Sequence, residues 1–133
     1  MSQFPSWSDE LAVGNSQIDM QHRRLVAICN RANRCAESSE VDARREFFSV
    51  LNDFATLIAE HFDAEEKFLA LNNCPTLAEH RAHHERFRER LLDLLFSGTA
   101  GLLDKKTLAR LARDYLLSHL TETDLPNKHY MRE

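Results

Sequence analysis

Four stretches of this chain repeat apolar residues at alternating steps of three and four, the spacing that lines up side chains on one face of an α-helix. Only three glycines and three prolines occur, and they fall between the periodic stretches. The first stretch, about 16–37, carries Ile18, His22, Leu25, Cys29, Ala32 and Ala36 on its stripe. The second, about 41–71, carries Phe47, Leu51, Phe54, Ile58, His61, Glu65 and Phe68. The third, about 77–96, has His80, His84, Phe87, Leu91 and Leu94, and the fourth, about 104–121, has Leu108, Leu111, Tyr115 and His119. No segment has the period of a strand. Short connections between four such helices favour an all-α, antiparallel up-down-up-down four-helix bundle.

The boundaries have their own signals. Ser38 and Ser39 break the first helix, and Asn72-Asn73-Cys74-Pro75 reads as a loop. Thr76-x-x-Glu79 has the form of a capping box opening the third helix. Ser97-Gly98-Thr99-Ala100-Gly101 reads as the next turn, with Asp104 as N-cap of the fourth helix. Residues 1–15, with Pro5, Trp7 and Gly14, lack a helical repeat and are expected to form an extended arm laying Phe4 and Trp7 on the bundle.

The 133 residues suit one domain with a core that needs no staples. A net charge of -4, with cations interleaved among acids, argues against nucleic acid as a partner, since phosphate binding needs a clustered basic surface. No apolar run approaches the roughly 20 residues of a membrane span, and the start lacks a secretion signal, so a cytoplasmic protein without membrane insertion is expected. Cys29, Cys35 and Cys74 are odd in number and lack C-x-x-C spacing. They read as small buried or half-buried thiols.

What sets the pattern apart is the polar content of its inward stripes. Five of the seven histidines lie there, joined by Glu65 and, just past the fourth stretch, by Asp124. His22 lies near the start of its helix, His61 and Glu65 near the end of theirs, His80 and His84 at a start and His119 at an end. Antiparallel packing brings those four termini together, while Leu51, Leu91 and Leu108 mark an apolar opposite end. A lone histidine on a helical stripe is ordinarily a hydrogen-bonded core residue, and His83 and His129 are placed in that class. Five converging imidazoles with carboxylates are different. Left unpaired, each such group costs about 1–3 kcal/mol, and a bound cation removes the cost by taking the lone pairs as ligands. Residues four apart share a helical face, so His61 with Glu65 and His80 with His84 form gripping pairs, and a dinuclear metal site is expected.

Asp124 is harder to place. Five residues after His119, it stands about 140° off the stripe of an ideal α-helix, where Glu122 is better situated. Pro126 disfavours helical geometry at Leu125, so the helix is expected to end there and Asp124 to be free to cross the bundle mouth. Spacing alone leaves both residues open.

The succession Trp7-x6-Gly14-x3-Ile18-Asp19-x-Gln21-His22, His61-x3-Glu65, His80-x3-His84-x2-Phe87 and His119-x4-Asp124 resembles the hemerythrins, specifically the single-domain bacterial ones, over nearly the whole chain. The resemblance implies a non-haem di-iron centre that binds O2 reversibly. It implies that His80, His84 and His119 hold one iron and His22 and His61 the other, with Glu65, Asp124 and a solvent-derived oxo or hydroxo group bridging. It thereby favours Asp124 over Glu122. One position, on the iron with two histidines, is left for O2. By position the pocket walls would be Leu25, Phe62, Phe87, Tyr115, Leu116 and Leu120; each also serves ordinary core packing.

This chain departs from common family residues at Tyr115, where relatives often have Trp, at Asn127 in place of Tyr, and at Cys74-Pro75 in place of Tyr-Pro. The Tyr115 hydroxyl would bring a proton donor toward the pocket. Rival classes fit less well. No Glu has His three residues on, as ferritin-like di-iron oxidases require, and the zinc-hydrolase pattern His-Glu-x-x-His is absent. The alternatives kept are a peroxide or nitric oxide reductase at the same centre, and iron buffering. With no signalling segment after Asp124, the chain is expected to act alone or through a separate, unidentified protein partner that receives O2 or a signal.

Overall fold

The computed structural model describes residues 7–37 and 43–133. Phe4, Ser38, Ser39 and Val41 lie outside those residues. The elements are a 3-10 turn Asp9–Leu11, α1 (Ser16–Glu37), α2 (Ala43–Leu71), α3 (Leu77–Thr99), α4 (Lys105–Asp114), a π-helical segment Tyr115–Asp124 and a 3-10 segment Leu125–Tyr130. The described residues contain no strand, and no helix among them is long and apolar enough to cross a membrane.

The helices form an antiparallel four-helix bundle. α1 packs on both α2 and α4, α2 packs on α3, and α3 approaches α4 less closely, leaving that seam the most open. The main core runs through Leu25, Cys29, Phe47, Leu51, Phe54, Ile58, Leu91, Leu108 and Leu111, all buried. Every stripe residue named above is buried except Ala36, which is half-buried. Each large apolar side chain so covered contributes about 1.5–3 kcal/mol. Cys29, Cys35 and Cys74 are buried free thiols, and burial pushes the Cys29 thiol far up.

A second, smaller cluster closes the other end: Val13, Ile18, Phe68, Leu69, Cys74 and Met131. Here the chain's two ends are tied down. The Asn15 side chain accepts from the amides of Gln17 and Ile18, capping α1, and donates to the Met131 carbonyl at 2.7 Å. Asn72 Nδ2 is shared among the carbonyls of Phe68, Tyr130 and Arg132. The polar stripe ends thus lie between two apolar clusters.

Four boundary expectations need correction. The arm is not wholly extended, since Leu11 N–H reaches the Ser8 carbonyl and closes a 3-10 turn. Trp7 does pack on the core, with the Arg23 guanidinium 5.1 Å from its ring. The capping box at Thr76 does not form; its hydroxyl contacts Cys74 Sγ at 3.3 Å instead. α3 runs three residues beyond Phe96, to Thr99, because Gly98 is a packing position rather than a turn. A Cβ there would stand 3.1 Å from the rings of Phe47 and Phe48. The turn comes at Gly101, with φ of +99°, where Gly101 N–H bonds the Gly98 carbonyl and Leu102 N–H that of Ser97.

The fourth correction matters most. The fourth helix does not end near residue 121; after Asp114 it widens into π-helical turns through Asp124, and Leu125 N–H bonds back to the Leu120 carbonyl, five residues earlier. Pro126 has no N–H to give to a continuing α-helical ladder, and the chain tightens after it into 3-10 geometry.

At the front of α4, Asp104 does cap as expected, accepting from the Thr107 amide at 3.0 Å and hydroxyl at 2.7 Å. Those two bonds hold its carboxyl below the usual aspartate range. A depressed folded value means stability that is present above the unfolded value and lost as pH falls through the folded one. Asp104→Ala should therefore cost about 1 kcal/mol in denaturant unfolding at pH 7, and the gap from wild type should close on acidification below the carboxylate range.

Candidate metal centre

α1 contributes His22, α2 His61 and Glu65, α3 His80 and His84, and the π-helical segment His119 and Asp124. All seven are buried, at 0–3% exposure, a degree of enclosure that for titratable groups requires partners. One ligand-type atom from each of His22, His61, Glu65 and Asp124 lies within 4.8 Å of the others. Glu65, His80 and His84 make a second group on the same criterion, so Glu65 belongs to both. His119 falls in neither group, but its Nε2 stands 3.0 Å from Glu65 Oε1 and 3.0 Å from Asp124 Oδ1, spanning the two carboxylates.

The π-helical turn explains how Asp124 arrives. In a π-helix the repeating hydrogen bond is i to i+5, so a residue five positions on returns to the same face. The α-helical objection of about 140° therefore does not apply between His119 and Asp124. Asp124 Oδ2 also meets His22 Nε2 at 3.2 Å, across the bundle. Glu122 is exposed and contacts Ser118 Oγ at 3.4 Å.

Neighbours fix the rings. His61 Nδ1 donates to Gln21 Oε1 at 2.9 Å, which leaves the Nε2 lone pair facing Glu65 Oε2 at 3.3 Å, outside hydrogen-bond geometry. His84 Nδ1 donates to Glu66 Oε2 at 2.6 Å, and its Nε2 then stands 2.9 Å from Glu65 Oε1. Phe62 stacks on the His84 ring at 3.8 Å. Gln21 and Glu66 escaped the sequence reading as partners. Each adjoins a stripe residue in the chain yet serves a histidine of another helix, and no local spacing reports that.

Lone pairs aimed at carboxylates repel unless something positive lies between them. A proton does that job on one ring: burial would depress His119, but Asp124 and Glu65 override it and push it up to about 10. For Glu65, burial alone would raise the carboxyl; His119 and His61 outweigh it and hold it well below the usual range. His61 and His80 go the other way, lowered by burial despite Glu65, and so are held neutral with lone pairs available. His22 Nδ1, His61 Nε2, both His80 nitrogens, Glu65 Oε2 and Asp124 Oδ1 are buried without a hydrogen-bond partner. So many unpartnered imidazole and carboxylate atoms in one place fit metal ions, with a mixed nitrogen and oxygen donor set.

Leu25, Phe62, Phe87, Tyr115, Leu116 and Leu120 are all buried. His83 is exposed; its ring stacks on His119 at 5.7 Å and its Nδ1 accepts from Arg86. His129 lies on the exposed tail against Tyr130. A cavity of about 480 Å³ opens along the α3 seam, floored by Phe62, His84, Tyr115 and His119.

Comparison with known proteins agrees with this arrangement. The family model "Hemerythrin HHE cation binding domain" matches residues 13–125. The chain is 26% identical over 123 residues to a hemerythrin-like protein of Naegleria gruberi, covering 92% of this chain and 90% of that one. It is 27% identical over 118 residues to a bacteriohemerythrin of Stenotrophomonas maltophilia, covering 89% and 75% of the two chains. To the myohemerythrin of Riftia pachyptila it is 28% identical over 122 residues, covering 92% and 89%. With a buried histidine and carboxylate cluster at one end of a four-helix bundle and a family match across most of its length, this chain belongs to the hemerythrin family, whose domain binds cations.

Proposed function

We propose that this chain binds an iron pair and, through it, O2 reversibly, for carriage, storage or sensing. In this reading His80, His84 and His119 would hold one iron and His22 and His61 the other, with Glu65 and Asp124 shared between the two. The observation that carries it is the sharing of Glu65 between two groups of buried ligand-type atoms, in a cluster where several nitrogens and oxygens have no hydrogen-bond partner. A lone tetrahedral zinc uses four ligands, fewer than converge here, and mixed imidazole and carboxylate donors suit iron.

When bound, an iron pair supplies the electrons with which O2 is held. The protein's own residues do the rest. Gln21 and Glu66 orient the rings of His61 and His84 and keep their Nδ1 protons out of the way. Leu25, Phe62, Phe87, Tyr115, Leu116 and Leu120 form the walls of the O2 pocket, where excluding water protects the bound ligand from protons.

The test is anaerobic reduction of the iron-loaded protein with metal quantified, then admission and removal of O2 under an absorption spectrum. A colour that comes with O2 and leaves with it, at two irons per chain, is the expected result. Irreversible oxidation would replace this reading with a peroxide or nitric oxide reductase, and uptake of many irons would replace it with buffering.

A further inference from the structure

The hydroxyl of Tyr115 is buried and has no hydrogen-bond partner among the described residues. Besides the indole N–H of Trp7, the other orphaned atoms are imidazole nitrogens and carboxylate oxygens of the candidate metal ligands, which cations satisfy; a phenol O–H is a donor and needs an acceptor. Leaving it unmade is unfavourable for a buried donor, and phenylalanine would fill the same space without that penalty.

The ring's surroundings say where the acceptor would come from. Tyr115 stacks on His119, with centroids 4.6 Å apart and planes 17° apart, and meets His61 edge-on at 6.1 Å. His61 belongs to the group with His22, and His119 spans both carboxylates, so the phenol lies across the two halves of the cluster. Phe87 at 4.9 Å and Phe62 at 5.8 Å enclose it with hydrocarbon. The same ring lines the seam cavity of about 480 Å³, which Arg86 and Arg90 of α3 and Asp114 and Glu122 also line. The cavity thus reaches the Tyr115 ring, while the hydroxyl itself is enclosed.

The geometry points to Tyr115 as the hydrogen-bond donor to a small, lone-pair-bearing ligand held at the metal pair. This rests on the metal pair proposed above and names a protein group that discriminates among its ligands: one with an acceptor atom beyond its metal-bound atom is favoured over one without. Tyr115 would act by direct contact with the ligand, not by shaping the metal site.

Azide is a suitable probe, because its far nitrogen is an acceptor and its stretching frequency reports hydrogen bonding. The experiment uses the full chain loaded with iron and oxidised, with azide titrated by absorption and its infrared stretch recorded in H2O and D2O, in wild type and Tyr115→Phe. The expected result is an isotope-sensitive stretch in wild type that loses its sensitivity in Tyr115→Phe, with affinity about tenfold weaker and iron content unchanged. An equal affinity and an identical isotope shift in the two proteins would overturn the assignment to Tyr115 while leaving the metal pair standing. Failure of wild type to hold two irons would overturn both, and the metal analysis separates that case from the other. The wild-type isotope shift needs no variant, so its absence also rejects the donor should Tyr115→Phe fold poorly.

Discussion

His84→Ala should bind iron about 100-fold or more weakly and lose the O2-dependent spectrum, while His83→Ala should keep both nearly intact. The two residues are chain neighbours on α3 and differ in where the helix aims them. His84 is 1% exposed, with Nε2 2.9 Å from the shared carboxylate oxygen and Nδ1 held by Glu66, whereas His83 is exposed and touches the cluster only through its stack on His119. Loss of partners that merely orient a ligand costs about 10–100-fold in metal affinity, so loss of a ligand itself should exceed that. His83→Ala removes one face of a stacked pair and no atom of the cluster. Equilibrium dialysis with metal analysis checks both. Equal losses in the two variants would mean that the stack, not the inward nitrogen, holds the site together.

Asp124→Ala should release at least one iron of the pair and lower the affinity of the remainder, and Glu122→Ala should do neither. Asp124 is fully buried, with Oδ2 3.2 Å from His22 and Oδ1 3.0 Å from His119, so its removal unties the first helix from the last. Breaking a buried charged contact by deleting one partner costs about 3–5 kcal/mol, which should also appear as a lower unfolding midpoint of the metal-free protein. Glu122 faces solvent beside Ser118, and removing an exposed acid changes stability by no more than about 0.5 kcal/mol. Iron content and thermal unfolding of the metal-free forms, measured side by side, decide the matter. A variant that keeps its full iron complement after losing Asp124 would refute its bridging role.

These two comparisons also mark how far the sequence was legible. His83 and His84 separate from sequence alone, because their difference is one of helical phase, and phase is written in the spacing of Phe87, Leu91 and Leu94 on the same stripe. Asp124 and Glu122 do not separate that way. Their order depends on whether the helix after Asp114 keeps its α-pitch, and the only local sign of change is Pro126, which forecasts an end to the helix rather than a widening. Thr76 shows the same limit in smaller form. Its motif is right for a cap, yet Cys74 Sγ captures the hydroxyl.

Determined by sequence alone were the helical class, the buried faces and the gathering of histidines and carboxylates at one end. Those follow from the periodicity of side chains along each helix and from the antiparallel order of short-linked helices, both of which a linear pattern contains. Only the tertiary structure decided the face that Asp124 takes, the reach of Gln21 and Glu66 to histidines on other helices, and the tie from Asn15 to Met131 that seals the cluster. Each of these depends on distances between helices, and a chain's spacing fixes which side of a helix a residue occupies without stating what the neighbouring helix brings to meet it.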